Sequence, residues 1–152
     1  IRAGTRSDAM GLNVDFAPTF LAAAGLRVPA DMQGRSLLPV LRGRAPTDWR
    51  TAMYYRYYHD PGDHNTRAHY GIRTRTHKLI YFWKKDEWEL YDLVNDPYEV
   101  HNLYGERGLE SLTTELKQHL ARLKREMGDT DQLANEQLPN GVDGTVARLR
   151  GR

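Results

Sequence analysis

The spacing of apolar residues near the start of the chain predicts one short helix followed by a loop. Residues 13–25 (NVDFAPTFLAAAG) are mostly apolar, and Phe16, Phe20 and Ala24 recur every four residues. Asp15 suits the N-cap of this helix, and Gly25 suits a left-handed end. Because such a helix has little polar surface, we expect it to be buried against a larger body. The Pro- and Gly-rich residues 27–44 predict loop, with one helical turn at 36–41.

Four segments in the middle of the chain carry the alternation and the aromatic content that are typical of strands. They are residues 52–58, 69–75, 77–83 and 87–92. The third segment is largely apolar on both faces, which predicts a central strand. The connections are too short for parallel crossovers, so neighbouring strands should pair antiparallel.

A stripe of apolar residues at spacings of three and four predicts a long amphipathic helix after the strands. The stripe consists of Leu109, Leu112, Leu116, Leu120, Leu123 and Met127. Packing on the sheet explains this stripe best, and the polar residues 129–152 predict a tail. The predicted fold class is therefore α+β, with a four-stranded antiparallel sheet packed by a C-terminal helix and preceded by a helix and a loop.

Charge is unevenly distributed, although the 152 residues carry a net charge of only +2. Residues 49–85 contain eight Lys/Arg against two Asp and hold four of the six histidines, whereas residues 86–131 contain twelve Asp/Glu against five Lys/Arg. A basic, tyrosine-rich surface can bind nucleic acid or an anionic sugar, and opposite charges can also simply pair within the fold. Nucleic-acid motifs are absent from the sequence, which makes nucleic acid the weaker alternative.

Several kinds of chemistry are excluded by the residues themselves. The chain has no cysteine, so it has no disulfide, thiolate metal site or thiol nucleophile. His59, His64 and His69 stand five apart, a spacing that does not place them on one face of a helix or a strand and so argues against a metal site. No apolar run approaches the roughly 20 residues of a membrane span. No constellation in the sequence carries a complete reaction.

Two groups of motifs in the right order resemble the late part of type I sulfatases. The first group is VDFAPTFL at 14–21, AG at 24–25, MQGRSLLP at 32–39 and LRG at 41–43. The second is YY at 54–55, HYGIRT at 69–74, KLI at 78–80, ELYDL at 89–93, DP at 96–97, Glu99 and NL at 102–103. The resemblance covers about residues 14–127.

This resemblance implies both an architecture and a missing catalytic centre. Residues 1–48 would be the end of an alkaline-phosphatase-like α/β catalytic domain, 49–128 the C-terminal sulfatase subdomain and 129–152 a polar tail. The family hydrolyses sulfate esters or sulfamates with a formylglycine and a calcium ion. The motif C/S-x-P-x-R that forms formylglycine is absent from the sequence. We therefore expect a C-terminal part of a longer enzyme, inactive by itself, in which calcium and formylglycine belong to the complete enzyme.

The same resemblance implies candidate substrate contacts in the loop after the first strand. Some relatives that act on sulfated sugars carry "YYHYYE…H…RHYGxRT" there; His64 and His69 keep this pattern, and Arg67 is displaced by one position. We expect His64, Arg67 and His69 to bind the sugar or its anionic groups in the complete enzyme, with weaker support for Arg56 and His59.

The expected function is hydrolysis of sulfate esters of a sulfated carbohydrate by the complete enzyme. The alternative is a free-standing module that binds polyanions or carbohydrates without catalysis. The expected partner is a sulfated sugar, and we expect neither nucleic acid nor a membrane as a partner. The apolar helix at 16–24 could form an oligomer if it is left exposed.

Overall fold

The computed structural model describes residues 1, 3–60 and 62–135, and these form two compact units. The first unit comprises residues 1–51 and the second begins at Ala52. Of the tail predicted at 129–152, residues 136–152 lie outside the described residues. None of the described helices is long and apolar enough to cross a bilayer.

The first unit contains two short helices and the loop between them. A 3₁₀ turn at Asn13–Asp15 leads into α1, Phe16–Ala23, and α2 spans Leu38–Leu41. Gly25 adopts the left-handed conformation just after α1, as its position in the sequence predicts. The exposed fraction is 55% for Phe16 and 71% for Phe20, so within this unit the helix does not have the buried environment that its composition predicts.

Asp15 organises the first unit through a fully buried carboxylate. It accepts hydrogen bonds from the backbone N–H groups of Leu12 and Arg35, both at 2.8 Å, and it forms an ion pair with Arg50. Asp15 occupies the N-cap position of α1, as predicted, but its side chain makes no capping hydrogen bond to the first turn of that helix. A carboxylate that is buried with an Arg needs these additional donors, because its desolvation would otherwise cost several kcal/mol.

The second unit is a four-stranded antiparallel sheet with a long helix on one face. The strands are β1 (Ala52–Tyr57), β2 (His69–Thr74), β3 (His77–Phe82) and β4 (Glu87–Asp92), paired in chain order. The helix α3 spans Glu110–Glu126 and is followed by the short α4, Asp131–Asn135. β3 is central and the predicted fold is observed, with strand ends within one residue of those expected.

The core of this unit lies between α3 and one face of the sheet. Leu116 and Leu120 of α3 are buried against Ile72, Leu79 and Leu90, which are fully buried on three successive strands. Ile72 pairs with Leu79, and Leu79 with Leu90, so one register aligns all three side chains on the same face. The apolar stripe of α3 therefore packs on the sheet as predicted.

Acidic residues after β4 hold the chain in the turn that leads to α3. Asp92 accepts hydrogen bonds from the backbone of Val94 and Asn95, and Asp96 accepts from Val100 and His101 at 2.8 Å each. Asn102 accepts from the Leu90 N–H and so ties this turn to the core strand β4. These hydrogen bonds give Asp92 and Asp96 a structural role in forming the turn.

We expect Asp15→Asn to destabilise the first unit by about 3 kcal/mol, because it leaves Arg50 without its buried partner. Burial alone would raise the pKa of Asp15, but the hydrogen bonds from Arg50, Arg35 and Leu12 lower it overall. Since the folded pKa is below the unfolded value of about 3.9, the stabilisation is present above that pH and is lost as the pH falls toward the folded pKa. The difference between wild type and variant should therefore shrink below pH ~4.

Hydrogen exchange of the peptide that contains Leu12 and α1 measures this effect locally. Asp48→Asn is the matched control, because Asp48 pairs with Arg35 at an exposed position and should cost less than about 0.5 kcal/mol. Equal protection in the two variants would contradict the proposed role of Asp15.

Candidate functional site: the loop between the first two strands

Residues 58–68 connect β1 to β2 and present the candidate binding residues at one end of the sheet. A 3₁₀ turn at Asp63–Asn65 forms the tip, closed by hydrogen bonds from the Gly62 N–H to the Thr66 carbonyl and from the Asn65 N–H to the Gly62 carbonyl. Any side chain at position 62 would collide with Tyr57, since a Cβ there would lie 1.8 Å from its hydroxyl. The loop thus packs back on β1 at Gly62, where a larger residue would have to displace the ring of Tyr57.

His64 lies exposed at the tip of this loop in an uncommon backbone conformation. Its φ is 57°, and that of the next residue, Asn65, is 60°. A left-handed non-glycine residue is disfavoured and is concentrated at functional sites, where the surrounding structure holds it in place. His64 is therefore presented to solvent by the loop itself.

His69 begins β2 and is packed on the sheet face opposite α3. Its Nδ1 lies 2.8 Å from the carbonyl oxygen of Arg67, which can only accept, so Nδ1 carries the proton in this contact. The ring lies 5.6 Å from Tyr57 and 5.3 Å from Phe82, measured between centroids. In the neutral form Nε2 remains an acceptor for a hydroxyl group.

Arg67 shares one carboxylate with a lysine that sequence reasoning missed. The guanidinium lies 3.4 Å from Asp60 Oδ1, and Lys84 Nζ lies 3.4 Å from Oδ2 of the same side chain. Both cations are about half exposed. Lys84 is in the β3–β4 turn, and antiparallel order brings this turn to the same sheet end as the β1–β2 loop. The predicted antiparallel order of the strands would therefore have sufficed to place Lys84 near this loop.

Arg56 is held inside the second unit by an ion-pair network. Its side chain is 2% exposed and donates to Asp129 at 2.8 Å and to Asp131 at 3.1 Å, and its guanidinium carbon lies 4.3 Å from the centre of the Trp83 ring. Burial alone would lower the pKa of Arg56, but these hydrogen bonds raise it overall, so the guanidinium stays charged. The Tyr54 hydroxyl donates to the same Asp129, and burial followed by this contact raises the pKa of Tyr54.

The structure therefore places the five predicted residues in different surroundings. His64 and Arg67 lie on the exposed loop, and His69 lies at its base. The His59 ring is 5.7 Å from Tyr57, and within the described residues its buried Nδ1 has no hydrogen-bond partner. Arg56 points to the α3 side of the sheet, where Asp129 occupies it. A substrate role for Arg56 or His59 stays a prediction.

The residues of this chain do not fit the calcium ion or the formylglycine that the resemblance implies for the complete enzyme. Within residues 1, 3–60 and 62–135, no three His, Asp or Glu side chains converge as metal ligands. The sequence contains no Cys and no Ser-x-Pro-x-Arg that could be converted to formylglycine. What this site can do is bind anionic and hydroxyl groups.

Comparison with known proteins identifies the family of this chain. The family model described as N-sulphoglucosamine sulphohydrolase, C-terminal, matches residues 1–126. The chain belongs to this sulfatase family. The resemblance predicted from the sequence motifs is thereby confirmed.

Three similar proteins illustrate the relationship. An N-acetylglucosamine-6-O-sulfatase of Bacteroides thetaiotaomicron is 48% identical over 86% of this chain and 24% of its own length. A solved protein in complex with its substrate D-glucosamine-2-N,6-O-disulfate has a TM-score of 0.82 at 48% identity, over 86% of this chain and 27% of that one. A solved 2-O GAG sulfatase has a TM-score of 0.66 at 25% identity, over 83% and 29%. The chain spans about a quarter of the length of such sulfatases.

Two arginine substitutions should separate structural from binding roles. We expect Arg56→Ala to destabilise the second unit by about 3 kcal/mol, since it leaves Asp129 buried and unpaired. Arg67→Ala should change the free energy of unfolding by less than about 0.5 kcal/mol, because the Arg67 side chain is about half exposed and Lys84 still pairs with Asp60. Urea unfolding followed by circular dichroism measures both. A stable Arg56→Ala protein would show that the buried pair does not support the fold.

Proposed function

We propose that the complete enzyme hydrolyses a sulfate ester of a sulfated carbohydrate and that this chain supplies scaffold and substrate contacts. The observation that carries the proposal is the exposed loop that presents His64 and Arg67 in a chain belonging to the sulfatase family. An amino sugar sulfated at the 6-position is the favoured substrate, because the 48% identical relative is an N-acetylglucosamine-6-O-sulfatase.

The loop binds substrate through charge and hydrogen bonding. Arg67 is half exposed and can place two parallel N–H groups on a sulfate or carboxylate. Asp60 holds Arg67 and Lys84 near each other, so a second cation is available to the same anion. His64 at the tip and Nε2 of His69 at the base can contact sugar hydroxyls.

The reacting groups of the complete enzyme lie outside this chain in this proposal. Calcium and formylglycine supply the sulfuryl-transfer chemistry of the family, and no side chain described here takes part in that step. The contribution of this chain is to bind and orient the sugar, which lowers the entropic cost of reaching a reactive geometry.

Assays of the complete enzyme and of this chain alone test the proposal. We expect the complete enzyme to release sulfate from 6-O-sulfated N-acetylglucosamine and the isolated chain to release none. Turnover by the isolated chain would overturn the proposal, as would a complete enzyme that is inactive on every sulfated sugar. Retention of the isolated chain on heparin, with no activity in the complete enzyme, would favour the alternative of a polyanion-binding module.

Removing the loop arginine should impair substrate binding more than turnover. We expect Arg67→Ala to raise KM about tenfold with little change in kcat, because a charged hydrogen bond contributes about 1.5–3 kcal/mol and is made equally in the ground and transition states. Arg107→Ala is the matched control, since Arg107 is exposed in the same unit and the charge change is the same. Equal effects of the two variants would argue against a substrate contact at Arg67.

The apolar face of α1 should cause the isolated chain to self-associate. Phe16, Phe20 and Leu26 are more than half exposed in the first unit, and such surface associates in water. We expect light scattering to detect oligomers that Phe20→Glu abolishes. Tyr98→Glu changes an aromatic residue of the second unit that is even more exposed than Phe20 and should leave the oligomers intact. A monomeric wild-type chain would contradict this expectation.

A further inference from the structure

A basic groove lies between α3 and the sheet, apart from the loop that carries the predicted contacts. It has a volume of about 370 Å³ and is lined by Tyr70, Trp88, Leu120 and Ala121 together with the cations Lys117, Lys124 and Arg125. This volume is within the range of about 300–1,000 Å³ typical of small-ligand sites. Lys117 and Lys124 lie seven residues apart, about two turns of α3, and so share one face of the helix, while Arg125 is adjacent to Lys124 and lines the edge of the groove.

The groove retains positive charge because its cations are incompletely paired. Lys117 donates to the Tyr104 hydroxyl at 2.6 Å and lies 4.1 Å from the centre of the Trp88 ring, and neither partner is a carboxylate. Arg125 is exposed and, within the described part of the chain, no carboxylate pairs with it. Lys124 shares Asp131 with Arg56.

The single acid in the lining does not cancel this charge. Asp129 is 7% exposed and is engaged by Arg56 and Tyr54, so its carboxylate faces inward. The exposed carboxylate of Asp131 is engaged by Lys124 and Arg56. An incoming anion therefore meets Lys117 and Arg125, and no carboxylate in the described part of the chain pairs with either of them.

We propose that this groove is a second binding site for a sulfated or carboxylated saccharide unit, separate from the loop at residues 58–68. The cations match sulfate and carboxylate groups, and the apolar surface of Ala121 with the partly exposed Tyr70 and Trp88 matches the C–H face of a sugar ring. The inference that the groove binds an anion does not depend on the proposed function, whereas the choice of a saccharide as the ligand does.

The position of the groove relative to the loop indicates how a second site would assist substrate binding. Tyr70 follows His69 in β2, and successive side chains point to opposite faces. The groove and the loop therefore lie on two faces of the same sheet end. A polyanionic chain held in the groove would raise the effective concentration of its neighbouring units at the loop.

The test compares two arginines on one helix in the complete enzyme. The probe is a heparin-derived octasaccharide, and binding is measured by calorimetry at low salt. We expect Arg125→Ala to weaken binding about fivefold and Lys117→Gln to do the same, whereas Arg122→Ala, an exposed residue paired with Glu126, should leave it within about twofold. Thermal unfolding of each variant shows whether weaker binding follows from loss of fold, and Arg125→Ala should unfold like the wild type because its side chain is exposed.

Substrate length provides a second readout. We expect a lower KM for a sulfated octasaccharide than for a sulfated monosaccharide, and Arg125→Ala should remove that difference, whereas the control Arg122→Ala should preserve it. Unaltered octasaccharide affinity in both groove variants would overturn the proposal. Displacement of the octasaccharide by an equal sulfate concentration of inorganic sulfate would also overturn it, in favour of a simple anion site. Calorimetry measures binding without turnover. An enzyme that is inactive on sulfated sugars would therefore refute the proposed function, but the calorimetric comparison of the groove variants would still show whether the groove binds the octasaccharide.

Discussion

The backbone pairing of β2 with β1 and β3 is the constraint on which the second unit depends. It fixes a register in which Ile72 meets Leu79 beneath α3, while His69 packs with Tyr57 on the opposite face. A shift of one residue would exchange these faces and place polar groups in the core. Because successive side chains of a strand point to opposite faces, the residues at the base of the candidate loop and those of the basic groove lie on different faces of the sheet.

Each unit also contains one buried ion pair between residues far apart in the chain. Asp15 and Arg50 join the start of α1 to the last residues of the first unit, and Arg56 and Asp129 join β1 to the segment after α3. In both pairs the carboxylate accepts further hydrogen bonds, from backbone in the first and from Tyr54 in the second. Such pairs fix distant parts of each unit against one another, because either charge alone would be costly to bury.

The structure shows where the unevenly distributed charges of the chain lie. The acidic stretch that begins at residue 86 does not simply neutralise the basic strands: its acids organise turns, and Lys117, Lys124 and Arg125 from the same stretch form the basic groove. The basic stretch divides likewise, with Arg56 inside and Arg67 on the loop. Local charge balance along the chain therefore says little about where an anion would bind.

Periodicity alone determined the strands, the long helix and their order, because alternation and the spacing of leucines reflect burial on one face. The family was evident from motifs such as ELYDL and DP, whose acids and Asn102 form a turn that local hydrogen bonds specify. Only the tertiary structure decided that Arg56 is buried, that Asp15 pairs with Arg50, and that Lys84 joins Arg67 on Asp60. These are contacts between residues distant in sequence, and no local pattern encodes which of many similar charges will meet.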